Sequence, residues 1–203
     1  MFQRLHHIAY RCRDAQRTVD FYTRVVGLKY CAGLLPPESR SQPSWPLNEP
    51  GQPPRKVVGE PADSIHIFFE LGDGSYLAFF DVASAPEDGP DRSPWWVKHI
   101  AFETDSIANL LAAKARLEKH GVQVLGPKDH DICNSIYFMD PDGHRLEITV
   151  RTEQPDAWDK LAAAAPRALK EWNERKLRKF GKSTERLPER VAAMPEDSTI
   201  EPA

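Results

Sequence analysis

Two periodicities alternate along this chain, and they do so in the same order twice. Leu5–Arg11 (LHHIAYR) alternates side to side and predicts a strand with His7, Ala9 and Arg11 on one face. Val19, Tyr22, Val25 and Val26 then recur at helical spacing within Ala15–Val26. Asp14 stands where an N-cap belongs and Gly27 where a left-handed terminator belongs. Leu28–Leu35 predicts a short strand, and Ile65–Leu71 with Ser75–Val82 predicts a hairpin about Gly72-Asp73-Gly74. From Trp96 the order restarts. Trp96–Glu103 reads as a strand, and Asp105 as the cap of a helix reaching about His120, with Leu110, Leu111, Ala115 and Leu117 on its apolar side. Gly121, a strand Val122–Leu125 and a loop Gly126–Asn134 follow. The last part is a hairpin, Ser135–Val150, turning at Asp140-Pro141-Asp142-Gly143, where Pro presets φ and Gly tolerates a positive φ.

This is an internal repeat of a βαβββ unit. HIAY at His7 answers HIAF at His99, and the two hairpins superpose without gaps, Gly74 on Gly143. That alignment sets Glu147 opposite Ala78, Tyr137 opposite Phe68, and Ser135 opposite His66. The expected fold is α+β: two βαβββ modules pairing into a curved, half-open barrel around a metal site, plus a C-terminal helix. The first module spans 1–82 with a Pro-rich insertion at 36–62, and a linker spans 83–94. The second module spans 95–150, and 151–203 lies outside the repeat. There Trp158, Leu161, Ala165, Leu169 and Trp172 recur every three or four residues, so Pro155–Lys176 reads as an amphipathic helix docked on the body, with Pro166 as a kink. Beyond Arg178 the chain is a polar tail.

Composition narrows the function classes. Of 203 residues, 40% are apolar and 28% charged, which suits a globular protein. A net charge of −3 points to no nucleic acid and no membrane surface as partner. No apolar run approaches the ~20 residues of a spanning helix, and MFQRLHHIAYRCRD is no signal peptide. Cys12, Cys31 and Cys133 lack paired spacing, which fits a reducing, cytoplasmic setting.

The chemistry follows from the repeat. His7 and His99 on the first strands, and Ala78 and Glu147 on the last, are equivalent positions around one centre. Glu147 lies between Leu146 and Ile148, and a carboxylate facing a cavity must be paired, protonated or bound to a cation. Two imidazoles and one carboxylate make the facial triad associated with non-haem Fe(II); Mn, Zn, Ni and Co also accept such ligands. His6 points away from His7 on an alternating strand. His66 shares a face with Phe68, and so aims at the same cavity as Tyr137. His130 sits in the loop before Tyr137.

HIAYRCRDAQRTVDFYTRVVGL in the first half, with HIAFETD and SIYFMDPDGHRLEIT in the second, resemble the vicinal oxygen chelate superfamily over about residues 5–150. That superfamily includes glyoxalases, extradiol ring-cleaving dioxygenases, methylmalonyl-CoA epimerases, and fosfomycin and bleomycin resistance proteins. The resemblance implies His7, His99 and Glu147 as metal ligands. Glyoxalase I-like relatives place a fourth ligand, Glu or Gln, where this chain has Ala78, and alanine neither binds metal nor takes a proton. Extradiol enzymes carry an active-site Tyr where this chain has Tyr137, and a further His just after the strand equivalent to Ser75–Phe80, where this chain has none. His66 and His130 are the candidates for that base. The expected activity is an Fe(II) extradiol-type dioxygenase acting on a small catechol-like aromatic with O₂. The alternatives are a metal-dependent lyase, isomerase or transferase, and a non-catalytic small-molecule binding protein. Relatives are commonly dimers, which makes a homodimer one option, and the sequence leaves the oligomeric state open.

Overall fold

Asp14 accepts a hydrogen bond from the Arg17 amide at 2.7 Å and opens the first helix, as its position predicts. The computed structural model describes residues 3–36, 63–86 and 93–182. The Pro-rich insertion from residue 37 on lies outside the described residues, as do the middle of the linker and the tail beyond 182. The first half runs β1 (His7–Cys12), α1 (Ala15–Asp20), β2 (Lys29–Leu34), β3 (Ser64–Glu70) and β4 (Tyr76–Val82). The second runs β5 (Ile100–Thr104), α2 (Ile107–Lys119), β6 (Leu125–Asp129), β7 (Cys133–Met139) and β8 (Arg145–Arg151). After α1 the helix continues as a wider π-wound stretch, Phe21–Val26, and the Gly27 amide bonds five residues back to the Tyr22 carbonyl at 2.9 Å. Gly27, at φ 91°, then turns the chain.

The halves repeat one topology. Each forms a four-stranded open sheet, ordered β1-β4-β3-β2 and β5-β8-β7-β6, with the first pair in each parallel and the rest antiparallel. The registers coincide as the repeat requires. Ala78 pairs with Ala9 and Phe68, and its counterpart Glu147 pairs with Ala101 and Tyr137. Two boundaries differ from expectation. The β5 strand starts only at Ile100, because the chain turns at Pro94–Val97, with the Val97 amide on the Pro94 carbonyl at 3.0 Å. The strand expected at Val122–Leu125 forms at Leu125–Asp129 instead. Val122 and Val124 are apolar because they pack against the core, while pairing with β7 decides the strand. Its register shifts between Leu125 and Lys128. The α2 cap also moves by one residue: Ser106 Oγ, not Asp105, accepts from the Asn109 amide at 3.2 Å.

One face of each sheet is buried. Ile67, Phe69, Leu77 and Phe79 of the first sheet, and Ile136, Phe138, Leu146, Ile148 and Val150 of the second, belong to one apolar core with Tyr22, Val26, Leu110 and Leu117. At about 25 cal/mol per Å² of apolar area, this shared core is the main stabilising contribution. Polar ties run across it. Tyr22 donates its hydroxyl to Asp140 at 2.9 Å, and Arg116 donates Nε to the Val25 carbonyl at 3.0 Å and a terminal nitrogen to that of Val26. The opposite faces stay accessible: His7 and Ala9 are exposed, as are Phe80 at 37% and Met139 at 44%.

The described residues from 153 to 182 belong to a second compact unit. Its helix α3 (Ala157–Phe180) contains Pro166, and no residue of it is buried. Trp158, Leu161, Leu169 and Trp172 are exposed. Among the described residues no helix is long and apolar enough to cross a membrane.

Candidate metal centre

Glu147 reaches the open face of the second sheet because β8 places Arg145, Glu147 and Thr149 on one side and buries Leu146 and Ile148 on the other. Its side chain is 9% exposed, and Oε2 lies 3.2 Å from His99 Nε2. His99 sits just before β5, and its Nδ1 contacts the Val97 carbonyl at 3.1 Å. A carbonyl can only accept, so Nδ1 carries a proton, and Nε2 faces the carboxylate either as a second donor or with a lone pair that can bind a cation. A lone pair and a carboxylate oxygen at that separation are compatible only with a shared proton or a cation beside them. Outer contacts that fix a histidine tautomer in this way are typical of metal ligands. By donor chemistry the pair suits a divalent transition metal.

Tyr137 stands beside the pair. Its hydroxyl donates to Glu147 Oε1 at 3.2 Å and lies 2.7 Å from His130 Nε2. The hydroxyl has one proton, so His130 Nε2–H donates to Tyr137, which donates to Glu147. Burial above all, and the Glu147 carboxylate after it, push the Tyr137 phenol above its usual value, while a bond to Ser135 opposes them. The phenol therefore stays protonated, and so a donor, at neutral pH. The Arg145 guanidinium lies over the Tyr137 ring, 4.1 Å from its centroid, and 5.0 Å from that of Trp95. It donates to the Trp96 carbonyl at 2.7 Å. Strand parity puts Arg145 on the same face as Glu147, but its position over the Tyr137 ring was not legible in the sequence.

The first sheet carries the other residues. His7 Nδ1 meets His6 Nδ1 at 2.8 Å, so His6 turns toward His7 and not away from it, as alternation alone predicts. His6 precedes the first residue of β1 and is not bound by the strand's alternation. His7 also has His66 and Phe68 beside it, with ring centroids 6.1 and 5.8 Å away. His66 stacks on Phe80 at 3.7 Å, and its Nε2 is buried with no hydrogen-bond partner among the described residues. Burial first, and His7 second, pull its pKa below the ordinary histidine value, favouring the neutral base. Ala78, at the position equivalent to Glu147, is fully buried and offers no ligand. Thus one chain brings together His99, Glu147, Tyr137 and His130, and separately His7 and His66. Among the described residues no group of three or more metal-ligating side chains is assembled.

A family model described as the Glyoxalase/Bleomycin resistance protein/Dioxygenase superfamily matches residues 4–148. The chain is 28% identical over 148 residues to a lactoylglutathione lyase of Pseudomonas aeruginosa, covering 70% of this chain and 80% of that protein. It is 30% identical over 63 residues to biphenyl-2,3-diol 1,2-dioxygenase 3 of Rhodococcus globerulus, covering 30% of this chain and 33% of the other. A crystal structure of a glyoxylase/bleomycin resistance protein/dioxygenase domain from Frankia sp. EAN1pec superposes with a TM-score of 0.56 at 17% identity, over 77% of this chain and 97% of that one.

Proposed function

Because the chain belongs to the glyoxalase/bleomycin resistance protein/dioxygenase superfamily, we propose that it is a metal-dependent enzyme of that superfamily, of the extradiol-dioxygenase type, acting on a small catechol-like aromatic with O₂. The observation that carries this reading is the chain His130–Tyr137–Glu147, at 2.7 and 3.2 Å, beside His99. Such a chain can receive a hydroxyl proton from a substrate and hold a phenol donor against a developing oxyanion. Ala78 supports it from the other side: a reaction that uses a second carboxylate at that position has no group for it here.

On this reading His99 and Glu147 would hold the metal, Fe(II), with His7 as the third ligand, a set that is not assembled among the described residues. The metal would supply a template and a charge sink for the aromatic diol and oxygen. The chain's own residues supply the rest. His130 or His66 takes a proton from a substrate hydroxyl. Tyr137 donates to the oxygen that gains charge. Phe68 and Phe80 offer aromatic walls.

A metal-dependent lyase is the second reading, favoured by the lactoylglutathione lyase match, which spans much more of the chain than the dioxygenase match. One experiment separates the two. The protein is purified anaerobically, its metals are measured, and oxygen uptake is followed with a panel of catechols. Iron near one per chain with uptake and a yellow ring-fission product supports the dioxygenase. Stoichiometric Zn, Ni or Mn without uptake overturns it in favour of the lyase. Ligand binding by a protein that takes up no metal overturns both, in favour of a binding protein.

A further inference from the structure

Helix α3 (Ala157–Phe180) takes no part in the chemistry above, yet its pattern is strict. Trp158, Leu161, Ala165, Leu169 and Trp172 recur every three or four residues, and Phe180 falls on the same side about two turns further on. No residue of the helix is buried, and Trp158, Leu161, Leu169, Trp172 and Phe180 are 45–62% exposed. An amphipathic helix draws most of its stability from whatever covers its apolar side, and Pro166 in the interior adds to that need by removing a backbone hydrogen bond.

The charge on the helix says what kind of surface fits. The net charge of −3 speaks against a membrane, but it is an average over the whole chain. Within α3, seven Lys and Arg stand against only Asp159, Glu171 and Glu174. At 3.6 residues per turn, Arg175 and Lys179 border the apolar side at one edge and Lys176 at the other. Glu171 and Glu174 lie on the far side, in ion pairs with Arg167 and Lys170 at 3.7 and 3.9 Å. Arg175, Lys176, Arg178 and Lys179 have no carboxylate partner among the described residues.

We propose that α3 lies along an anionic lipid surface, with its Trp, Leu and Phe side chains in the acyl boundary and Arg175, Lys176 and Lys179 at the headgroup phosphates. This goes beyond the enzymatic reading and does not rest on it. Trp rings favour the headgroup level, and Lys and Arg stems run along the apolar side while their charges reach out of it. A second copy of α3 fits less well, because the same cations would border both faces. An acidic groove on a protein would wrap the polar side as well, and would desolvate the Arg167–Glu171 and Lys170–Glu174 pairs, whose side chains are 59–79% exposed. A flat anionic surface covers one side only and leaves those pairs in water.

The test is co-sedimentation of the full chain with vesicles of phosphatidylcholine alone, and of phosphatidylcholine mixed with phosphatidylglycerol. The protein should sediment with the mixed vesicles, stay in solution with the neutral ones, and be released as salt rises. Two double variants report on the helix, Trp158→Ala with Trp172→Ala, and Lys176→Glu with Lys179→Glu. Neither touches a buried residue, and circular dichroism checks the fold of each. The charge variant should lose roughly 25-fold or more in partitioning, at about fivefold for each basic residue near an anionic surface. The Trp variant should lose about tenfold or more. No sedimentation with the mixed vesicles overturns the proposal, as does equal binding to both kinds. Wild-type partitioning in either variant also overturns it. A wild-type oligomer in solution that the Trp variant dissociates assigns the face to a second copy and overturns it equally.

Discussion

His99 Nε2 and Glu147 Oε2 stand 3.2 Å apart, while the other ring nitrogen of His99 is committed to the Val97 carbonyl. A proton on Nε2 or a bound cation would each satisfy that contact. Replacing Glu147 with Gln keeps the shape and removes the charge. It should lower metal affinity at least as much as the ~10–100-fold seen when outer-shell partners of metal ligands are removed. Isothermal titration with Fe(II) under anaerobic conditions, or with Zn(II), measures it. Unchanged affinity would remove Glu147 from the site.

Tyr137 bridges His130 and Glu147 by its hydroxyl. Tyr137→Phe should leave the fold and the metal content intact. Its turnover should fall by roughly 10²–10³, the usual cost of losing one oxyanion donor. His130→Ala should act in the same direction through the same chain. Steady-state kinetics beside metal analysis checks both, and loss of metal in Tyr137→Phe would recast Tyr137 as a support of the ligand.

Tyr22 is fully buried and donates to Asp140 across the core. Burial first, and the Asp140 charge second, hold its phenol well above the ordinary value. A folded-state pKa above the unfolded one means that the protonated phenol's contribution is complete below about pH 10 and is lost as pH rises past it. Urea melts from about pH 8 to about pH 11 should show falling stability in the native protein and a shallower fall in Tyr22→Phe. At neutral pH the variant should be less stable by about 1 kcal/mol, because Asp140 loses one donor but keeps His144 and two backbone amides.

Gly126 has φ +102°, and a Cβ there would meet the Ser135 carbonyl oxygen at 2.6 Å. Both features disfavour any side chain. Gly126→Ala should destabilise by about 1–3 kcal/mol, because the three nearest atoms, of Ser135, Lys128 and Ile136, are all backbone and cannot swing away. Thermal melts check this, and an unchanged melting temperature would mean that the β6–β7 pairing relaxes freely.

How much of this was legible in the sequence depends on whether the information is local. Alternation fixed which side of β8 carries Glu147, and the gapless hairpin alignment placed Ala78 opposite it, as the register bears out. The repeat, the α+β class and the family followed from the same local patterns. The Tyr137–His130 contact was half legible, since parity sets the strand residue while loop geometry sets the histidine. Arg145 over Tyr137 needed the turn at Pro94–Val97, which also delays β5. The turn of His6 toward His7 needed the chain to be outside the strand.

What the sequence by itself determined is the content of each module: which residues are buried, which face outward, and which of those carry imidazole or carboxylate. These are properties of a strand and its immediate neighbours, encoded at a period of two. What only the tertiary structure decided is which faces meet. Each sheet presents the same local pattern whichever of its faces is turned to the other half of the chain. The choice was made by the shared helix-side core, through Tyr22, Asp140 and Arg116, contacts between residues roughly a hundred positions apart that no local period records.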